Sequence, residues 1–154
     1  MTRPRIGISA CLLGEPCRFD GRSAGNEPLI RELKDYLLIP VCPEVAGGLG
    51  TPRPPAEIQG ERVRRKNGED VTEAFERGAQ ISLAEIKASG CEGVVLKSRS
   101  PACGCGQVYD GTFTRTLRTG DGVFTQQLKA AGIMTISDEE IDTAADIPAS
   151  NKKS

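Results

Sequence analysis

Short apolar runs alternate with amphipathic stretches along this chain. Residues 5–10 (RIGISA), 37–41 (LLIPV), 93–97 (GVVLK) and 133–136 (IMTI) have the length and apolar content of buried strands. Pro40 cannot donate to a ladder, so the second of these strands should lie at a sheet edge or end there. Helical spacing fills the intervals. Over residues 26–36, Leu29, Ile30 and Leu33 share a face with Leu37, Asn26 is a cap and Pro28 falls in the first turn. Asp70 with Glu73 resembles a capping box, Phe75, Ala79, Leu83 and Ile86 form a stripe, and Gly90 is a stop. Residues 121–132 read as a capped helix with Val123, Phe124, Leu128 and Ala131 inward. Strand–helix alternation implies parallel strands joined by right-handed crossovers, in the spatial order 2-1-3-4. The expected fold is a single three-layer, Rossmann-like α/β domain with a short, mostly parallel four-stranded sheet.

The remaining segments lack periodicity. Residues 42–60 are dense in Gly and Pro and read as a long loop, either functional or disordered. Residues 98–106 (SRSPACGCG) form a second tight loop, and residues 109–120 read either as a hairpin or as an irregular excursion. The domain is expected over 1–137, with 138–154 a polar tail holding at most a short helix and fraying at its end.

A chain of 154 residues suits one domain, and its formal charge of -1 removes the electrostatic argument for a dedicated nucleic-acid binder. Aromatic residues are only 4% and Trp is absent, which argues against a single-strand stacking platform. Six cysteines and no histidine change the picture most. Ser-His and Cys-His pairs are excluded, and so is any mixed Cys/His zinc site. A general base must be a carboxylate, Lys, Tyr or thiolate. No segment is long and apolar enough for a membrane span, and the start of the sequence lacks a signal-peptide core. The reading is therefore cytoplasmic, with reduced cysteines serving as ligands or catalytic thiols in preference to three disulfides.

On the expected scaffold Cys11 follows the first strand, Cys42 the second, and Cys103 lies in the loop after the third. Three distant thiols thus arrive at the strand ends, where open α/β sheets bind ligands. Thiolate-only ligation favours zinc or iron–sulfur centres. No paired C-x-x-C knuckles of a zinc ribbon occur, whereas a cubane cluster accepts widely spaced ligands. Three ligands to such a cluster would leave one iron open as a Lewis acid. Cys17 and Cys105 sit in the same loops and read either as a fourth ligand or as neighbouring thiols. Cys91 precedes the third strand, at the far end, and reads as a core or surface thiol.

Partners for such a centre stand close by. Glu44, two residues beyond Cys42, is either a base towards water or a solvated loop carboxylate. Ser100 either donates to a substrate or is an ordinary turn serine. Thr51 and Arg53 suit an anion or a polar ring edge. Asp20-Gly21 reads as a turn, and Lys97 either faces the site or is solvated.

The segments SACLLG and CRFDG, VCPE and GGLGTPR, and LKSRSPACG together resemble TudS-like thiouracil desulfurases. NGEDVTEAF and VYDGTF fit the same pattern, and the resemblance extends to about Ile136. It implies an oxygen-sensitive [4Fe–4S] cluster held by three cysteines, at positions matching Cys11, Cys42 and Cys103, with Glu44 and Ser100 as the catalytic pair. The implied reaction replaces the sulfur of a thiolated pyrimidine by oxygen, giving uracil and sulfide without net redox change. A nucleic-acid partner is not expected, although thiolated tRNA stays open as a substrate. Two other classes stand beside this reading: a non-catalytic zinc or iron–sulfur binding module, and a dithiol redox protein using Cys103 and Cys105.

Overall fold

The computed structural model describes residues 3–17, 19–21 and 25–140. Four parallel strands form the central sheet: β1 (Arg5–Ser9), β2 (Leu37–Val41), β5 (Gly93–Leu96) and β8 (Met134–Ser137). Their order is β2-β1-β5-β8, and every pairing is parallel. The expected order is reproduced, in a sheet that is wholly rather than mostly parallel. Pro40 lies on the edge strand β2, opposite Ile8, where a missing donor costs no ladder bond on the open side.

Helices cover both faces. On one side lie α3 (Thr72–Ala88) and α4 (Val123–Ala130); on the other lie α1 (Glu27–Glu32) and a 3-10 turn at Ala10–Leu13. Period-two alternation sorts the side chains between them. In β5, Val94 and Leu96 join Phe75, Ile86, Phe124 and Leu128, whereas Val95 joins Ile6, Ile8, Leu12, Leu29 and Leu33. Each fully buried side chain of this kind stabilises the fold by about 1.5–3 kcal/mol relative to exposure. No helix among the described residues is long and apolar enough to cross a membrane.

Several boundaries differ from the periodic reading. Asn26 caps α1 through Leu29 N–H, but the helix ends at Glu32, because the chain must turn to enter β2; Leu37, expected on the helical face, is an exposed strand residue. The α3 helix starts one residue past the expected box. Asp70 sits just outside it and accepts from Thr72 N–H at 2.9 Å. In α4, Gly122 rather than Asp121 occupies the cap, since Asp121 is bonded to Gly106 N–H and Lys129; Ala131 is exposed rather than inward.

The stretch 42–60 is not structureless. It contains α2 (Pro43–Ala46) and then β3 (Ala56–Gln59), which pairs with β4 (Arg62–Arg65) as an antiparallel hairpin. Ile58 and Val63 face each other across it and are both buried. Residues 109–120 resolve as the hairpin alternative: β6 (Gln107–Tyr109) pairs with β7 (Leu117–Thr119). The tail beyond residue 140, including its expected short helix, lies outside the described residues.

The short helix α2, which begins directly after Cys42, is seated backbone to backbone on α3. The two touch at Gly47 and Gly78; a Cβ on Gly78 would lie 1.8 Å from the Pro43 carbonyl oxygen. Gly78→Ala should therefore cost on the order of 1–3 kcal/mol and push α2 away from α3, which a urea titration of the variant will measure. A second test concerns the α3 start. Asp70 is held well below the ordinary carboxylate value of 3.8, mainly by its hydrogen bond with Arg62. A depressed folded value stabilises the protein above that pH and loses its effect as pH falls. Asp70→Asn should lower the urea midpoint at pH 7, with the gap to wild type closing below pH 3.8.

Candidate active site

Strands β1, β2 and β5 point their carboxyl ends into one open cavity of about 540 Å³. Cys11, Cys17, Cys42 and Cys103 all line it, together with Glu44, Arg53 and Ser100. Cys11 is two residues beyond β1, in the 3-10 turn that Gly14 closes in a left-handed conformation by donating to the Cys11 carbonyl. Cys42 follows β2 directly and caps α2, its carbonyl accepting from Ala46 N–H at 2.9 Å. Cys103, only 5% exposed, hangs in the loop after β5.

That last loop is longer and more heavily braced. Ser100 Oγ accepts from both Ala102 N–H and Cys103 N–H, at 3.1 and 3.0 Å. With both lone pairs engaged, its hydroxyl hydrogen remains to donate. The Pro101, Ala102 and Gly104 carbonyls accept from Val123, Phe124 and Gly122 N–H, so the loop is stapled to the start of α4. Gly122 permits this approach: a Cβ there would meet the Ala102 carbonyl carbon and oxygen at 2.4 Å.

Arg53 organises the opposite wall. It is 8% exposed, and all three of its side-chain nitrogens donate within the protein. Nε donates to Glu44 Oε1 at 2.9 Å, one Nη to the Gly50 carbonyl and Thr51 Oγ1, and the other Nη to the Cys17 carbonyl at 2.9 Å. It thus fixes a carboxylate and a cysteine-bearing loop at once. Among the described residues, no donor reaches Glu44 Oε2. Thr51 is exposed, does not line the cavity, and uses its hydroxyl to accept from Arg53.

The thiols are crowded. The Cys42 thiol points to the Cys17 carbonyl at 3.9 Å and is raised well above the ordinary thiol range, first by its hydrogen bond with Cys17 and then by burial. Cys17 is pushed up to about 11, chiefly by its hydrogen bond with Cys11, and burial pushes Cys103 up to about 12. These groups resist ionisation because they share hydrogen bonds with one another and are buried. Iron ions at this spot would supply neutralising charge, and an all-sulfur donor set suits them. Among the described residues, no three Cys, Asp or Glu side chains are spaced to grip a single metal ion. A polynuclear cluster spreads its ligands more widely than one ion, so the four thiols around an open space fit it better. The cavity wall also carries Lys66, Lys97, Arg99 and Arg115, which favour a net anionic thiolate assembly.

All six cysteines are free. Cys105 is half-buried, bonded to Thr135 Oγ1, and does not line the cavity; Cys91 precedes β5, at the strand's opposite end. Lys97 lines the cavity, and its ammonium donates to Ser98. Sequence reasoning missed Glu57, Tyr109 and Phe113, which also line it. The last two stand in VYDGTF, a segment noticed for its pattern without any residue being singled out.

A model of the 2-thiouracil desulfurase family matches residues 6–140. This chain belongs to that family. The chain is 39% identical over 147 residues to YbbK of Bacillus subtilis (strain 168), covering 89% of this chain and 97% of YbbK. A solved structure, the [4Fe-4S]-dependent thiouracil desulfidase TudS, superimposes with a TM-score of 0.83 at 42% identity, covering 90% of this chain and 93% of that one. The family resemblance and the Rossmann-like fold expected from the sequence both hold.

The Arg53 fork is open to a direct test. Arg53→Met should destabilise the protein by roughly 3 kcal/mol, because it strands a partly buried carboxylate. Adding Glu44→Gln should restore part of the loss, and a double-mutant cycle in urea reads the coupling.

Proposed function

We propose that this protein is an iron–sulfur-dependent, non-redox desulfurase of thiolated pyrimidines, converting thiouracil and water to uracil and sulfide. The observation that carries the reading is the meeting of the β1, β2 and β5 thiols at one cavity that also holds Glu44 and Ser100. Cys11, Cys42 and Cys103 would hold a [4Fe–4S] cluster, which when bound supplies a soft Lewis acid with one open iron for the thiocarbonyl sulfur.

The chain's own residues do the remaining work. Glu44 takes a proton from the attacking water, and Arg53 keeps that carboxylate in position through Oε1. The water oxygen bonds to the ring carbon that bears sulfur, the C–S bond breaks with its electron pair kept by sulfur, which leaves as sulfide, and loss of the second water proton restores the ring carbonyl. Ser100 presents its hydroxyl hydrogen to the substrate, a role supported by its two backbone bonds, which fix the oxygen. Histidine is dispensable in this scheme, in keeping with its absence from the chain. The substrate class is a small thiolated pyrimidine, and a reducing compartment such as the cytoplasm suits six free thiols.

Anaerobic reconstitution with iron and sulfide tests this directly. The expected product is a brown, four-iron protein that desulfurates 2- or 4-thiouracil without consuming reductant. Ala substitutions at Cys11, Cys42 and Cys103 should each abolish iron retention. Glu44→Ala should keep the colour and lose at least about 100-fold in kcat, while Cys91→Ser behaves as wild type. A colourless protein with one tight zinc, or a fully loaded cluster with no desulfuration, would overturn the proposal.

A further inference from the structure

The chain contains four Phe and two Tyr residues. Phe75, Phe124 and Tyr36 are buried in the core, and the other three, Phe19, Tyr109 and Phe113, all line the cysteine cavity. Every aromatic ring outside the core is thus gathered at one place. A low overall aromatic content concealed this concentration.

Phe113 differs from the other two in its backbone. Its φ of 59° lies in the left-handed region, which a bulky side chain seldom adopts. Such conformations persist only where the surroundings over-determine them, and they gather at ligand clamps. Here the cause is Glu57 on β3. Glu57 is only 9% exposed, and one of its carboxylate oxygens accepts from both Gly111 N–H and Phe113 N–H, at 3.0 and 3.1 Å. Gln59 Nε2 donates to the Gly111 carbonyl at 2.8 Å. Asp110 Oδ1 accepts from Thr112 N–H, and a row of hydroxyls from Thr112 through Thr114 to Thr116 closes the loop. A Cβ on Gly111 would meet the Ile58 carbonyl at 2.7 Å, so the loop lies directly on the strand that carries Glu57.

We propose that Phe113 is the substrate-binding residue that stacks on the flat pyrimidine ring, and that Glu57 is its positioning residue. The inference rests on the desulfurase reading for the identity of the ring and adds the residue that recognises it. A thiolated pyrimidine offers two planar faces and few rotatable bonds, so a pre-set aromatic face binds it with little ordering cost. The strained loop exists to hold that face at the cavity, and Glu57 touches the loop's backbone, not the substrate.

The test uses cluster-loaded protein and 4-thiouracil. Phe113→Leu should raise KM roughly tenfold, as loss of base stacking does, with kcat, iron content and visible spectrum near wild type. Uracil, the product, should lose inhibitory potency in parallel. Phe113→Tyr, which restores a ring, should recover wild-type KM. Glu57→Ala should reproduce the KM rise of Phe113→Leu with its iron retained. A Phe113→Leu enzyme whose KM and uracil inhibition stay within about twofold of wild type overturns the assignment, as does a Tyr variant no better than Leu. If loaded wild type fails to desulfurate at all, the parent reading falls instead. The Phe113 assignment then stands or falls on equilibrium dialysis of 4-thiouracil against wild type and Phe113→Leu.

Discussion

Parallel pairing of β1 with β2 on one side and β5 on the other brings three remote stretches of chain to one level. Ser9 lies opposite Val41, and Ile8 opposite both Pro40 and Val95. Parallel strands leave a sheet from the same edge, so the segments after them emerge together. Cys11 and Cys42 come almost at once. Cys103 comes later, and the extra chain is secured by the start of α4, whose N–H groups hold the Pro101, Ala102 and Gly104 carbonyls. Burial of Val94 and Leu96 against one helix layer, and of Val95 against the other, keeps β5 in register.

The electrostatics of the cavity follow from that convergence. Thiols brought this close resist ionisation unless a cation joins them, and burial of Cys103 adds to the resistance. Arg53 faces a different problem, a carboxylate that must stay in a partly dry place. It solves it with an ion pair to Glu44, and it spends its remaining donors on the loops that carry Thr51 and Cys17. A bidentate-capable fork suits this work; a lysine would offer a point charge with no fixed angles between its bonds.

The central sheet was legible because its strands are short apolar runs separated by helical stripes, and the spatial order followed from crossover handedness. Meeting of the thiols followed in turn, since Cys11 and Cys42 lie next to strand ends. The β3–β4 hairpin was not legible, because each strand has a single buried apolar residue, Ile58 or Val63, and Pro54, Pro55 and Gly60 read as loop. Arg53 was noticed for its charge, yet charge alone does not reveal that all three of its side-chain nitrogens have partners inside the protein. Glu57 escaped notice because a single carboxylate in a four-residue strand carries no periodic signal, and its importance lies in backbone groups 54 and 56 positions away. Cys17 and Cys105 looked equivalent in sequence; only the tertiary arrangement puts one at the cavity and the other beside Thr135.

If Cys11, Cys42 and Cys103 hold the proposed cluster, their wide spacing has a consequence for biogenesis. In a ferredoxin-type run of closely spaced cysteines, a nascent peptide already contains most of a binding motif. Here a nascent chain must reach residue 103 of 154 before it holds all three sulfurs, and none is aligned before the sheet closes. On that reading a cluster would join the chain only once the strands have paired and the three loops stand together.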